Sequence, residues 1–244
     1  MNRNSLVWIG GALLPALTLV GCNRGGGSSY TPKPVKAPEA ISVKPGNEME
    51  LFPLKNGATW VYAVAARSTA QNGETRSAEA EITFKATDVV PDQGGVKAKI
   101  EISQGAQVTE VQTWRVDPTG IYQLTSGAKQ TPFNPPQLAF KFPFEERMRW
   151  EWKGDGGIPG GEKGMSTMTG ASRGIQECDT AMGRMQAVAI ETRWTWGTGQ
   201  KQGGAVSTTW WKPGVGIVRF RQEIGVQGQT GVQLFRLKSY TPGK

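Results

Sequence analysis

From Thr59 to the C-terminus, apolar and polar residues alternate with a period of two over most of the chain. Successive side chains of a strand point to opposite faces, so this alternation predicts strands with one buried and one wet face. The clearest case is Arg147 to Trp152, where Met148, Trp150 and Trp152 share one face and Arg147, Arg149 and Glu151 the other. Val188, Ile190, Thr192, Trp194 and Trp196 line up in the same way, as do Val96, Ala98, Ile100 and Ile102. Further strands are predicted near 59–66, 79–89, 107–116, 120–125, 138–144, 165–171, 205–212, 215–224 and 231–239.

Turn chemistry separates these runs. Asn72-Gly73, Pro91 to Gly95, Asp117-Pro118-Thr119-Gly120 and Lys212-Pro213-Gly214 are each suited to a tight reversal. Gly154 to Gly164 reads as a long hairpin loop, because strand patterns flank it closely. Helical periodicity is almost absent, and the one weak candidate, near Gln176 to Met182, also reads as a turn. The expected fold class is all-β: an antiparallel meander of about eleven or twelve strands, forming a strongly curved sheet or partly open barrel. A transmembrane barrel also alternates, but the outward positions here are rich in Lys, Arg and Glu, which hydrocarbon does not accept.

The first 48 residues break the pattern. Arg3 gives a short positive start, Leu6 to Val20 is apolar with Gly10, Gly11 and Pro15 inside it, and Leu19-Val20-Gly21-Cys22 follows. This is the layout of a secretory signal peptide. The four residues ending in Cys22 resemble the lipobox of bacterial lipoproteins. That resemblance implies lipidation of Cys22, cleavage before it, and a mature chain beginning at the acylated cysteine. Each acyl CH2 buried contributes about 0.8 kcal/mol, and two or more chains hold stably. An uncleaved membrane helix and a plain signal peptide are the competing readings. Asn23 to Asn47 is dominated by Gly, Ser, Pro and Lys, too poor in apolar residues to order itself. The expected organisation is a signal segment at 1–21, a lipidated Cys22 with a disordered tether over 22–48, and one β-rich domain over 49–244.

Composition narrows the function classes. The formal charge is +8, or +7 once Arg3 leaves with the signal, and the basic residues are dispersed rather than clustered. Nucleic acid is not an expected partner of an exported, lipid-anchored chain. The membrane is expected as a partner through Cys22, in a bacterial cell envelope, with an outer membrane facing the periplasm preferred because Asn23 is not the Asp of inner-membrane retention. Two cysteines are present; with Cys22 acylated, Cys178 has no intrachain partner and is expected to be a packing or surface residue rather than a nucleophile.

Histidine is absent from the sequence. The commonest general base, the Ser-His and Cys-His pairs and the usual zinc ligand are therefore missing. Glu145, Glu146, Glu151 and Asp155 are close in sequence but read as a solvated strand face. Gly154 to Gly157 lacks the Lys-Ser/Thr of a phosphate loop and the regular acids of a calcium loop. No cofactor, metal or catalytic residue is expected, and the chain is read as not an enzyme.

Three blocks carry a second resemblance: Leu51 to Tyr62, Phe140 to Trp152, and Trp210 to Val218. Together they resemble a broad set of uncharacterised bacterial lipoproteins and exported domains, which are expected to share the half-barrel of the lipoprotein carrier LolA and its receptor LolB. The resemblance implies a concave sheet. No lid helices matching those families are present in the pattern.

Eight tryptophans remain beyond the signal segment: Trp60, Trp114, Trp150, Trp152, Trp194, Trp196, Trp210 and Trp211. They could fill the concave side of a curved sheet. Trp150, Trp152, Trp194 and Trp196 are the candidates to line an apolar cleft instead, because each pair projects from one strand face. The expected function is a non-catalytic, lipid-anchored envelope protein binding an apolar ligand or an envelope protein. A carbohydrate-binding surface and a purely structural lipoprotein are the alternatives.

Overall fold

The structure, a computed structural model, describes residues 38–44, 46–156, 164–198 and 201–244. The signal segment, Cys22 and most of the tether lie outside the described residues. A 3-10 turn over Glu48–Leu51 is followed by twelve strands: β1 Thr59–Thr69, β2 Thr75–Asp92, β3 Gly95–Gln104, β4 Gln107–Asp117, β5 Gly120–Ser126, β6 Thr131–Lys141, β7 Arg149–Asp155, β8 Met165–Thr180, β9 Gly183–Thr198, β10 Lys201–Lys212, β11 Gly216–Val226 and β12 Gln229–Thr241. Each strand pairs antiparallel with its sequence neighbours, and β1 pairs with β12, closing the barrel.

The all-β meander is therefore as the alternation predicts. It goes beyond a curved sheet, because the first and last strands find each other over eleven residue pairs from Thr59↔Thr241 to Thr69↔Thr230. Closure removes both free edges. The half-barrel implied by the LolA and LolB resemblance is not what forms. The weak helical candidate at Gln176 to Met182 is corrected as well: these residues end β8 and enter a tight turn, with Thr180↔Gly183 closing the hairpin. Gly183 sits at φ +111°, a conformation a helix does not use.

One seam in the wall is weak. β6 and β7 share a single ladder pair, Asn134↔Asp155. The cause is in the sequence: Pro132, Pro135 and Pro136 lie in β6, and proline has no N–H to give a neighbour. Side chains bridge the gap instead. The Trp150 indole donates to the Leu138 carbonyl at 2.9 Å, and the Trp152 indole donates to the carbonyls of Pro135 and Pro136 at 3.1 and 3.0 Å.

The interior is filled in layers. The larger apolar cluster occupies the end where the chain enters, and the residues before β1 plug that mouth. Phe52 places its ring 5.6 Å from Trp60 and 5.5 Å from both Trp114 and Trp211. Gly214 donates its amide to Glu50, tying the plug to the β10–β11 turn. Ile41 and Val43, which composition places in the tether, pack against this cluster, and the Ile41 amide donates to Gln186 Oε1 at 3.2 Å. A smaller cluster at the far end joins Phe133, Trp152, Met168, Trp194, Trp196, Ala205 and Ile224.

Cys178 is buried at the inner face of β8, and burial pushes its thiol up to about 11. Of the two roles the sequence left open for it, packing and surface, the fold gives it packing.

Candidate functional site

Inward positions follow strand alternation, so each site residue can be traced to its strand. Between the two apolar clusters, five glutamines turn inward and are buried: Gln112 on β4, Gln123 on β5, Gln137 on β6, Gln222 on β11 and Gln233 on β12. The alternation carried a signal for them. Gln112 shares the period-two row of Trp114 and Val116, Gln222 that of Phe220 and Ile224, and Gln233 that of Phe235 and Leu237. An apolar-only reading of each row passes over them.

Part of this belt is a closed network along β4. The Trp114 indole donates to Gln112 Oε1 at 2.9 Å, and Gln112 Nε2 donates to Glu110 Oε1 at 2.8 Å. The Gly127 amide also donates to Glu110 Oε1, at 2.7 Å. Desolvation raises the Glu110 carboxyl above its ordinary value, and the hydrogen bonds from Gln112 and Gly127 only partly offset it. A carboxyl raised in the folded state binds its proton more tightly there than in the unfolded chain. Its contribution to stability is therefore lost as pH rises from the ordinary value of 4.5 through the raised one. The expected result is that Glu110→Gln, which keeps an oxygen acceptor and removes the buried charge, flattens the fall of stability over that pH window. Urea unfolding of both proteins across the window measures it; an unchanged slope refutes the assignment to Glu110.

Gln123, Gln137 and Gln222 of this belt border a cavity of about 60 Å³, lined also by Trp114, Ala139, Met168, Thr192, Trp194, Ser207, Thr209, Trp211 and Phe220. Gln222 Nε2 donates to Ser207 Oγ at 3.0 Å. Among the described residues, the Trp194 and Trp211 indole N–H groups and Gln222 Oε1 find no hydrogen-bond partner, and neither does either end of the Gln233 amide on the neighbouring strand.

A second hollow lies on the outer wall, over β7, β8 and β9. It is open, holds about 570 Å³, and is lined by Arg149, Trp150, Glu151, Thr169, Gly170, Ala171, Arg173, Glu191 and Arg193. Gly170 and Ala171 contribute little side chain to this lining, and the Trp150 ring lies against Gly170. Glu191 meets Arg173 at 2.7 Å and Arg193 at 3.1 Å. Desolvation alone would raise the Glu191 carboxyl, but the hydrogen bonds and charges of Arg173 and Arg193 outweigh it and hold the group below its ordinary value.

The four tryptophans chosen from the sequence do not share one cleft. All are between 4 and 6% exposed. Trp150 belongs to the larger cluster, while Trp152, Trp194 and Trp196 belong to the smaller one. Trp150 and Trp152 staple the β6–β7 seam. Trp196 covers Gly203 on β10, much as Trp150 covers Gly170. Trp194 alone of the four lines the internal cavity. No surface of stacked indoles is present at these four positions for a sugar to lie on.

A buried ion pair braces the β4–β5 hairpin. Arg115 Nε lies 2.8 Å from Asp117 Oδ2, and the Arg115 guanidinium covers the Tyr122 ring at 4.5 Å. Asp117 Oδ1 also accepts the Thr119 amide at 2.8 Å. These contacts hold the turn between β4 and β5. Among the described residues, no three His, Cys, Asp or Glu are grouped to hold a metal ion. No helix among them is long and apolar enough to cross a membrane.

No protein-family model matches the chain, and no curated protein matches it. Solved structures do. A candidate lipoprotein from Parabacteroides distasonis ATCC 8503 is 11% identical with a TM-score of 0.47, covering 78% of this chain and 98% of that one. A candidate exported protein with a YmcC-like fold from Bacteroides fragilis NCTC 9343 is also 11% identical, with a TM-score of 0.44 over the same shares. The hypothetical lipoprotein YmcC from Escherichia coli K12 is 11% identical with a TM-score of 0.33, covering 78% of this chain and 86% of that chain.

Proposed function

We propose that this chain is a lipid-anchored protein of the bacterial cell envelope that works without catalysis, by docking a protein partner on the outer wall of its barrel. Leu19-Val20-Gly21-Cys22 and the Gly/Ser/Pro-rich stretch after it support the anchor. The observation that carries the docking reading is the open hollow over β7–β9, about 570 Å³ against about 60 Å³ inside. The outer space is rimmed by Arg149, Arg173, Arg193, Glu151 and Glu191, which suit a polar, charged protein surface. The inner space is too small for an acyl chain, so an apolar ligand is the weaker half of the sequence reading. Charged outer positions such as Arg149, Glu151 and Lys153 on β7 keep this wall in water rather than lipid.

Two experiments test the two parts. Labelled palmitate should enter the wild-type protein and not Cys22→Ser; equal labelling refutes the anchor. A photo-crosslinker at Thr169, an exposed position on the hollow's lining, should capture one envelope protein. Arg149→Glu should weaken that adduct without changing the folded spectrum. An adduct indifferent to Arg149→Glu, or none at all, refutes docking at this wall.

A further inference from the structure

The buried glutamines face each other across the strands. The register sets Gln123 opposite Gln137 and Gln222 opposite Gln233. Side chains directly opposite on one face have Cβ atoms about 4.5–5.5 Å apart. Ser207 lies opposite Gln222 on its other side, and Thr192 lies opposite Ser207. Thr192, Ser207, Gln222 and Gln233 thus form one polar row across β9, β10, β11 and β12. One link of the row is closed, from Gln222 Nε2 to Ser207 Oγ. Among the described residues, Gln222 Oε1 and both ends of the Gln233 amide find no partner. Gln222 is 2% exposed and Gln233 1%, so bulk solvent does not reach them. Buried amides left unpaired are costly, so each needs an explanation.

We propose that the internal cavity is a site for ordered water, and that one water bridges Gln222 Oε1 to the Gln233 amide. A buried water makes about three hydrogen bonds to groups that otherwise lack partners. Here it donates to Gln222 Oε1 and either donates to Gln233 Oε1 or accepts from Gln233 Nε2. The facing register brings both amides within reach of one molecule. Room and polarity agree with this occupant. The cavity holds about 60 Å³, and a water needs roughly 10–15 Å³, so about four fit. Six of its twelve lining residues carry an amide or a hydroxyl: Gln123, Gln137, Thr192, Ser207, Thr209 and Gln222. Separate waters serve separate groups, so the lining need not converge on one ligand atom. An apolar guest would leave Gln222 Oε1 unpaired. A charged guest would meet no ionisable side chain in the lining to neutralise it. The interior is then two dry apolar layers with a wet one between them. The site is independent of the anchor and of the outer hollow.

The test uses the folded wild-type protein. Laboratory-frame and rotating-frame NOE spectra report contacts between water and the side-chain NH2 groups of Gln222 and Gln233. Cross-peaks of the sign that marks slowly exchanging, bound water are expected at both. Gln233→Met provides a second measurement. The Gln233 amide makes no hydrogen bond to the described residues, so in a dry interior the thioether, of nearly the same shape, would remove only unpaired polar atoms and raise the urea midpoint. With a bridging water the variant loses that water's bonds, and the midpoint should fall. Four results would each overturn the proposal: no water cross-peak at either amide, direct contact between the two amides in its place, a raised midpoint for Gln233→Met, or uptake of xenon by the cavity. An organic guest released on unfolding and seen by mass spectrometry would overturn it as well.

Discussion

Replacing Gly170 with alanine is expected to destabilise the barrel by about 3 kcal/mol. A Cβ built at Gly170 falls 2.2 Å from the Trp150 ring, well inside any tolerable contact. Trp150 cannot swing away freely. Its indole donates to Leu138 across the seam, and its ring stacks on Phe140 with 6.4 Å between centroids. The opposing effect is smaller: alanine restricts the unfolded chain and contributes about 0.4–1 kcal/mol towards stability where it fits. The clash therefore wins. Gly225 on β11 is the control, because a Cβ there meets nothing within 4 Å. Gly225→Ala should be neutral or slightly stabilising. Urea unfolding of both variants is the measurement, and a pair of equal effects would remove the ring-over-glycine argument. Trp150→Phe in the Gly170→Ala background should recover part of the loss, since the smaller ring clears the new methyl.

The second large effect is expected at Phe52. Phe52→Ala should cost about 3–5 kcal/mol, the range for truncating a buried aromatic ring. The residue belongs to no strand, yet its ring fills the mouth of the barrel against Trp60, Trp114 and Trp211. Removing it leaves a cavity beside three indoles and admits water to them. Tryptophan emission should move to longer wavelength in the folded state, ahead of any unfolding. Phe52→Leu keeps much of the volume and should lose clearly less. A loss under about 1 kcal/mol for Phe52→Ala would mean that the segment before β1 is not part of the core. The two predictions address different parts of the molecule, since one concerns the seam and the other the plug.

Both sites show how far pattern reading reaches. The inward row of Met148, Trp150 and Trp152 was legible from alternation, and all three are buried. What the two rings do was not legible. That depends on β6, whose prolines leave carbonyls without ladder partners for Trp150 and Trp152 to meet. Phe52 reads locally as the end of an extended entry to the first strand. Its burial follows only when β4 and β10 bring Trp114 and Trp211 to the same mouth. Over 176–182, seven residues held too little pattern to separate a strand end and turn from a weak helix. Pairing with β9 decided it. The candidate sites were least legible of all. The internal cavity draws residues from β4, β5, β6, β8, β9, β10 and β11, which are scattered over about a hundred positions of sequence.

By itself, the sequence determined that this is a chain of about twelve antiparallel strands with aromatic inner faces and charged outer faces. Those properties are local: alternation and turn residues each act within a few residues. Only the tertiary structure decided that β1 and β12 meet, that Trp150 is buried in one apolar cluster and Trp152, Trp194 and Trp196 in another, and that five glutamines of β4, β5, β6, β11 and β12 are buried inside the barrel. The physical reason is that closure, ring packing and hydrogen-bond satisfaction are set by residues far apart in the chain. No window of sequence contains both partners.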